Sequence, residues 1–162
     1  MRATATFAAS PKVNNMYQAI EVVRRVLVVT KDSNIVLPPG AAAEAVACMG
    51  EGVGLVTAIT EARGARNFAA EIECSLMNQS HGRFLYAASA LGLGFGLGKL
   101  MVFRRSDLHR AGGFEAIAHS VGEDSAMDHA LKGLGLRTVM KTPIVQMLGA
   151  RRIRDVANHQ LH

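Results

Sequence analysis

The sequence predicts an α/β protein in which helices pack on a mixed β-sheet. Helical patterns alternate along the chain with short runs of β-branched residues, and this alternation is typical of helices packed against a sheet. The length of 162 residues suits one domain with a hydrophobic core, because 49% of the residues are hydrophobic and 19% are charged. No repeat or low-complexity segment divides the chain, so we expect a single unit over residues 1–162.

The first two predicted elements are a helix over Lys12–Arg25 and a strand over Val26–Lys31. Apolar residues recur at helical spacing along the first segment. The second is a continuous run of β-branched residues, which is typical of a strand covered on both faces. Pro38-Pro39 then ends a loop and precedes an alanine-rich helix over Gly40–Met49.

The remaining chain continues the alternation. A short helix begins at Ser106, which we expect to cap it, and ends at Gly112-Gly113. The other predicted elements are strands over Gly52–Thr60, Lys99–Phe103 and Leu136–Lys141, and helices over Asn67–Phe84, Glu123–Gly133 and Ile153–Leu161.

Two acidic sites are the candidates for chemistry. Asp32 follows a predicted buried strand, where α/β proteins place ligand-binding residues, and Glu123-Asp124 begins a predicted helix. Together they offer one carboxylate for a cation and another for a proton. The alternatives are a turn role for Asp32 and favourable contact of Glu123 and Asp124 with the helix dipole. Asp128, one turn further along, is expected to be solvated.

A glycine series from Gly92 to Gly98 precedes Lys99. It lacks the Lys-Ser/Thr ending of a phosphate-binding P-loop. We expect these glycines to permit close approach of the backbone to a ligand, with Lys99 as a cation near a phosphate. A plain flexible loop is the alternative.

The formal net charge is +5, and the arginines are spread over several segments. This pattern indicates a solvated surface first, and attraction to phosphates or to an anionic membrane surface second. Only 5% of the residues are aromatic and no stacking platform is visible, so we expect no nucleic-acid partner. The longest apolar run, Tyr86–Gly98, is interrupted by glycines and is too short to span a bilayer.

Several motifs in fixed order resemble the ceramide glucosyltransferase family, glycosyltransferase family 21, and most closely its bacterial members linked to hopanoid biosynthesis. The resemblance covers about Pro11 to His162. The motifs are Ser10-Pro11-Lys12-Val13-Asn14-Asn15, Asp32-Ser33-Asn34-Ile35-Val36-Leu37-Pro38-Pro39, Gly98-Lys99-Leu100-Met101-Val102-Phe103-Arg104-Arg105-Ser106-Asp107-Leu108, Ala111-Gly112-Gly113-Phe114 and Gly122-Glu123-Asp124.

This resemblance implies a GT-A fold and inverting transfer of a sugar from a nucleotide-diphosphosugar to a lipid hydroxyl. It places Asp32 beside a divalent cation, Mn²⁺ or Mg²⁺, and the donor diphosphate, and it assigns the base to Asp124. We add Lys99 and Glu123 as donor-binding residues and Asn34 as a further metal ligand, weaker than a carboxylate because its amide is neutral.

The family also has an Arg/Gln-x-x-Arg-Trp motif on its acceptor or membrane side. The matching place reads His159-Gln160-Leu161-His162. The family's first aspartate lies on an earlier nucleotide-binding strand, so we expect the chain to be a fragment, a partial GT-A domain that is inactive alone and prone to marginal stability or self-association. The full-length relative is expected at the cytoplasmic face of a membrane. A non-catalytic binding module of the same fold remains the alternative.

Overall fold

The computed structural model describes residue 8, residues 10–120 and residues 122–161, with side chains as far as residue 158. The helices are α1 (Pro11–Val22), α2 (Ala41–Ala47), α3 (Phe68–Leu76), α4 (Arg83–Ala90), α5 (Arg105–Arg110), α6 (Glu115–Ala118), α7 (Glu123–Lys132) and α8 (Ile153–Leu161), with a π-helical segment over Met77–Gly82. The strands are β1 (Leu27–Lys31), β2 (Ile35–Val36), β3 (Val53–Ala65), β4 (Leu100–Arg104) and β5 (Arg137–Gly149).

The described strands form one five-stranded mixed sheet in the order β1-β4-β3-β5-β2. Strands β3 and β5 pair in parallel, whereas β4 is antiparallel to both β1 and β3, and β2 is antiparallel to β5. The predicted α/β class with a mixed sheet and flanking helices is therefore confirmed. The carboxyl ends of β1, β3 and β5 all lie at the same end of this sheet.

Strand β4 separates two hydrophobic layers. Its four apolar residues, Leu100 to Phe103, have no exposed surface. Met101 and Phe103 face the layer that contains α1, α5, α6 and α7. Leu100 and Val102 face the layer that contains α2. This alternation follows from the two-residue period of a strand, and it fixes β4 at the centre of the site-bearing region.

Strand β1 differs from its prediction as a strand covered on both faces. It lies at an edge of the sheet, and Val29 is 42% exposed. Among the described residues its single strand partner is β4. A continuous apolar run specifies a strand but not its neighbours, which explains why the sequence pattern does not reveal an open edge.

Strands β3 and β5 each extend over 13 residues and are longer than predicted. They remain paired as far as Ala65 and Gly149. The register is irregular between Thr57 and Ala58, close to Pro143, which has no N–H to donate. The two-residue strand β2 has no counterpart among the predicted elements.

The predicted helix over Asn67–Phe84 is interrupted by the π-helical segment. Within that segment the Asn78 side chain accepts a hydrogen bond from the Ala62 N–H at 2.8 Å and donates one to the Ala62 carbonyl at 2.9 Å. These bonds attach the segment to β3. π-Helical turns of this kind are frequent at functional sites.

The predicted cap at Ser106 is wrong. Helix α5 starts at Arg105, its capping position is Arg104, and no side chain caps it. The chain enters α5 directly from β4, which leaves Ser106 inside the first turn. In the part of the chain that the structure describes, no helix is long and apolar enough to cross a membrane.

Candidate functional site

Charged side chains from four parts of the chain meet at the end of the sheet where β1 ends and β4 begins. We call this group the charged cluster; its members are Lys12, Asp32, Lys99, Glu123 and Asp124. Lys12 comes from the start of α1, Asp32 follows β1, Lys99 precedes β4, and the last two begin α7. Four of the predicted site residues, Asp32, Lys99, Glu123 and Asp124, are thus brought together.

Lys12 is the centre of the charged cluster. Its Nζ lies 2.9 Å from Asp32 Oδ1 and 2.7 Å from Glu123 Oε1, and it donates to the Gly98 carbonyl at 3.0 Å. Burial lowers the pKa of Lys12, but its bonds and charge interactions with Glu123 and Asp32 outweigh burial and raise that pKa above 10.5. Lys12 is therefore a fixed cation that holds two acidic segments together.

The start of α1 gives Lys12 its position. Ser10 Oγ accepts the Val13 N–H at 3.5 Å, and Pro11 occupies the first helical position, where its missing N–H costs nothing. The sequence motifs assign no role to Lys12. The signal that could identify it is a lysine directly after a capped, proline-initiated helix start, but its acidic partners are distant in sequence.

Asp32 is held on both carboxylate oxygens. Lys12 contacts Oδ1, and Lys99 Nζ lies 3.3 Å from Oδ2. Burial raises the pKa of Asp32, but Lys12 and Lys99 outweigh it and lower that pKa below 3.8. The Asp32 N–H also donates to the Lys99 carbonyl at 3.1 Å, so backbone and side chain both tie the end of β1 to the start of β4.

Asp124 has two backbone partners. Its Oδ2 accepts the Gly98 N–H and its Oδ1 accepts the Ser125 N–H, both at 2.8 Å. Gly98 is also the residue whose carbonyl binds Lys12. Asp32 and Asp124, which lie far apart in sequence, therefore border one place in the fold, and Asp124 fixes the end of the glycine series there.

The glycine series packs against the protein itself. A Cβ at Gly94 would lie 2.0 Å from the Thr138 carbonyl oxygen, and one at Gly96 would lie 2.2 Å from the Asp124 carbonyl oxygen. The Thr57 hydroxyl donates to the Phe95 carbonyl at 2.9 Å and holds the loop on β3. Close backbone approach is thus the reason for Gly94 and Gly96, but the approached groups are β5 and α7.

Asp128 is not the solvated residue that its helical pattern predicts. It is 8% exposed, binds Lys132 Nζ at 2.8 Å, and accepts a short hydrogen bond from the Thr138 hydroxyl. Because β5 passes beside α7 at this point, it covers the helix face that the sequence pattern predicts to be exposed to solvent. Asp128 joins α7 to β5 and has a structural role.

A groove of about 730 Å³ leads to the charged cluster. It runs between α1 and β1, and it is lined by Lys12, Val28 and the turn over Asp32, Ser33 and Asn34. Asn34 is exposed in that turn. A ligand lying in this groove has direct access to Asp32.

The carboxylate oxygens of the charged cluster are suitable ligands for a hard divalent cation, but they are too few to hold it alone. No group of three or more His, Cys, Asp or Glu side chains among the described residues is arranged to hold a metal ion. Asp32 and Glu123 nevertheless lie on one ammonium group and offer carboxylate oxygens. Mg²⁺ is typically bound by one or two carboxylates together with substrate phosphates, so this pair fits such a cation when phosphates complete the shell.

The residues predicted for the acceptor or membrane side cannot be placed. The side chains of His159 and Gln160, and all of His162, lie outside the described residues. Their assignment stays a prediction.

Comparison with known proteins places the chain among sugar transferases. The family model for glycosyl transferase family 21 matches residues 2–162. Ceramide glucosyltransferase 1 of Caenorhabditis elegans is 29% identical over 135 residues, which are 82% of this chain and 29% of that protein. The chain thus spans under a third of the length of this relative.

One of two similar solved structures supports the fold. The mannosyltransferase PcManGT of Pyrobaculum calidifontis, determined in complex with GDP-Man and Mn²⁺, matches with a TM-score of 0.60 and 20% identity, over 83% of this chain and 35% of that one. Mannosyl-3-phosphoglycerate synthase of Rubrobacter xylanophilus matches with a TM-score of 0.48 and 19% identity, over 90% and 46%. The five-stranded mixed sheet with its helices is thus similar to GT-A glycosyltransferases. Since the family model matches almost every residue, this chain belongs to glycosyl transferase family 21.

Proposed function

We propose that the chain carries part of the catalytic machinery of an inverting glycosyltransferase, which moves a sugar from a nucleotide-diphosphosugar to a lipid hydroxyl. The observation that carries this proposal is the meeting of Asp32, Glu123 and Asp124 at one edge of the sheet, with Lys12 and Lys99 between them. Family membership supports the reaction class, and the ceramide glucosyltransferase relative supports a ceramide-type acceptor. The hopanoid-type acceptor and the membrane surface are proposed from the resemblance in sequence motifs.

The donor diphosphate fits the groove at Asp32. Lys12 and Lys99 supply positive charge for phosphate oxygens, while Asp32 and Glu123 are the residues that would hold a divalent cation. Such a cation neutralises negative charge on a leaving diphosphate. Asp32 and Glu123 both pair with Lys12 in this structure, so Lys12 would have to leave these carboxylates if they were to hold a divalent cation.

Asp124 is the proposed base. A carboxylate can take the proton of an attacking hydroxyl only if one lone pair is free to reach it. Each Asp124 oxygen accepts one backbone hydrogen bond, and a carboxylate oxygen has capacity for a second. The two bonds orient the group without consuming its acceptor capacity.

A non-catalytic binding module is the second candidate. The observation that favours it is the pairing of each Asp32 oxygen with a lysine, because a remnant site can replace a bound cation with fixed ammonium groups. The two candidates differ in whether the site takes up a nucleotide diphosphate with Mn²⁺.

Thermal unfolding distinguishes the candidates. With Mn²⁺ and a panel of nucleoside diphosphates, the transferase proposal expects a rise in the unfolding temperature, since a ligand at 100 times its Kd adds about 2.7 kcal/mol to the stability of the native state. Asp32→Asn should remove this rise, whereas Glu51→Gln, a change at an exposed position, should keep it. No rise with any nucleotide, either in this chain or in a longer form of the protein, would favour the binding module.

Sugar transfer to a lipid alcohol tests the base. In a form extended by the family's preceding strands, Asp124→Asn should abolish transfer and retain donor binding, because an amide cannot accept the proton. Unchanged transfer would move the base to another residue.

A further inference from the structure

A second cavity, of about 360 Å³, is bordered by Lys99 of the charged cluster. We call it the α4 slot. Its walls are mainly apolar and include Met77, Leu85, Phe95 and Leu97. Its volume lies within the range of small-ligand pockets, about 300–1,000 Å³.

The walls of the α4 slot are fixed by polar contacts outside it. Asn78 attaches the π-helical segment, which contributes Met77, to the backbone of Ala62. The Thr57 hydroxyl holds the carbonyl of Phe95 at 2.9 Å. The slot is therefore a preformed feature of the fold rather than a gap between loose side chains.

Gln146 lines the slot. It occupies an interior position of β5, opposite both Ala62 and Ile35, and is 2% exposed. Its Oε1 is buried and has no hydrogen-bond partner among the described residues. Buried polar atoms are nearly always paired, so this oxygen requires a hydrogen-bond donor that the described protein does not supply.

The same glutamine also lines a smaller, polar cavity of about 190 Å³, which contains Asn34 and Lys99. Lys99 borders both cavities, and its Nζ contacts Asp32 Oδ2 at 3.3 Å. One side chain thus connects the apolar slot with the charged cluster. A molecule with an alkyl chain in the slot has its polar end beside the proposed donor site.

We propose that the α4 slot binds the alkyl chain of an acceptor alcohol and that Gln146 positions its head by accepting a hydrogen bond from a head-group hydroxyl. This inference rests on the proposed function, because it assigns the acceptor side of the same site. The slot supplies apolar contact for the chain, and the unpaired oxygen supplies selectivity for a hydroxyl. A site built to bind a hydroxyl strongly rejects the analogue that lacks it.

The test uses methyl NMR of methionine in the full chain, with no nucleotide or cation added. Met77 lines the slot, and Met127, which belongs to a different hydrophobic cluster and does not line the slot, is the internal control. We expect 1-decanol to shift the Met77 methyl signal and leave Met127 unchanged. Decyl methyl ether, which has the chain but no hydroxyl donor, should bind at least about tenfold more weakly.

Gln146→Leu should make the alcohol and the ether bind with equal affinity. Gln18→Leu, the same change on α1 away from the slot, should preserve the difference between them. If Gln146→Leu does not fold, the comparison of alcohol and ether in the unaltered chain still decides the proposal. An unshifted Met77 signal would overturn it, and so would equal binding of both compounds to the unaltered chain, which would leave water as the partner of Gln146.

These outcomes are independent of the donor site. A chain that binds 1-decanol but no nucleotide diphosphate would keep the slot and refute the transferase proposal. A chain that binds a nucleotide diphosphate with Mn²⁺ but no alcohol would support the transferase proposal and refute alcohol binding in the slot.

Discussion

At the scale of single residues, Lys12 compensates the negative charge at the end of β1 and the start of α7. Its ammonium group has three acceptors within 3.0 Å, on Asp32, Glu123 and Gly98. Without it, two partly buried carboxylates would face each other. Leaving charged groups without partners costs more than an average hydrogen bond contributes.

We therefore predict that Lys12→Met lowers the free energy of unfolding by about 1–3 kcal/mol. Lys141→Met, at an exposed position on β5, is the matched control and should change it by less than about 0.5 kcal/mol. Urea denaturation at neutral pH measures both. Equal stability of the two variants would show that the charged cluster contributes nothing to folding.

Glu61 and Tyr86 form a second, independent ionisable pair at this scale. The Tyr86 hydroxyl donates to Glu61 Oε1 at 2.7 Å, and Arg63 donates to Oε2 at 3.0 Å. The Tyr86 hydrogen bond, followed by that from Arg63, lowers the pKa of Glu61 below 4.5. The same bond raises the pKa of Tyr86, because it favours the protonated phenol.

Tyr86→Phe should raise the pKa of Glu61 towards 4.5, and NMR titration of the Glu61 carboxyl carbon measures the change. Since the pKa of Glu61 is lowered in the folded state, its contribution to stability is present above pH 4.5 and is lost as the pH falls through the folded-state value. The stability difference between Tyr86→Phe and the unaltered chain should disappear over the same interval. An unchanged Glu61 pKa would refute the role of the hydroxyl.

At the scale of elements, the glycine series joins β4, β5 and α7 by direct backbone contact. Gly96 lies against the Asp124 backbone, and Gly98 binds both Asp124 and Lys12. The loop therefore sets the position of the proposed base. A side chain at Gly96 would displace the start of α7, because the obstructing atom is a backbone carbonyl that cannot rotate away.

Gly96→Ala should accordingly destabilise the chain by about 1–3 kcal/mol or more, as overpacking does. Gly50→Ala is the matched control, since a Cβ there meets no atom within 4 Å and the residue has no positive φ. It should change the unfolding free energy by less than about 0.5 kcal/mol. Chemical denaturation compares the two, and similar values would show that the loop yields without cost.

Elements with a local signal could be predicted from the sequence. The helical spacing before Val26 predicts α1, and the apolar run Lys99–Phe103 predicts β4. The π-helical segment could not be predicted, because it depends on Asn78 reaching the backbone of Ala62 on another element. The length of β5 beyond Lys141 depends in the same way on its partner β3.

The sequence predicts the acidic residues of the candidate site, but it does not predict the contacts that connect them. Asp32 and Asp124 follow from strand-end and helix-start positions, and the structure brings them to one place. Lys12 and Gln146 were missed because their significance comes from contacts across the fold: Lys12 meets segments distant in sequence, and Gln146 is an ordinary residue until its burial is known. Lysine and glutamine are usually exposed, so sequence alone favours a solvent-facing role.

At the scale of the whole molecule, the sheet has two unequal edges. Among the described residues, the five-residue strand β1 has no strand partner on its outer side, whereas β2 at the opposite edge has two residues. An exposed edge strand presents unpaired N–H and C=O groups, and proteins restrain such edges with charged side chains. The β1 edge also borders the groove that leads to Asp32, so any strand pairing there would restrict access to the charged cluster.

We expect the chain to self-associate through β1 at high concentration. Val29→Lys should shift the equilibrium towards the monomer, because a second copy of β1 would bring two lysines close together across the new pair. Val36→Lys, the same change on the short edge strand β2, is the control and should leave association unchanged. Sedimentation velocity over a concentration series measures the effect.

A monomer at every concentration, or an equal effect of both substitutions, would contradict association through β1. Reduced association with Val29→Lys alone would identify β1 as the strand through which the copies associate. Nucleotide binding measured on that monomer would then show the affinity of the groove without competition from a second copy.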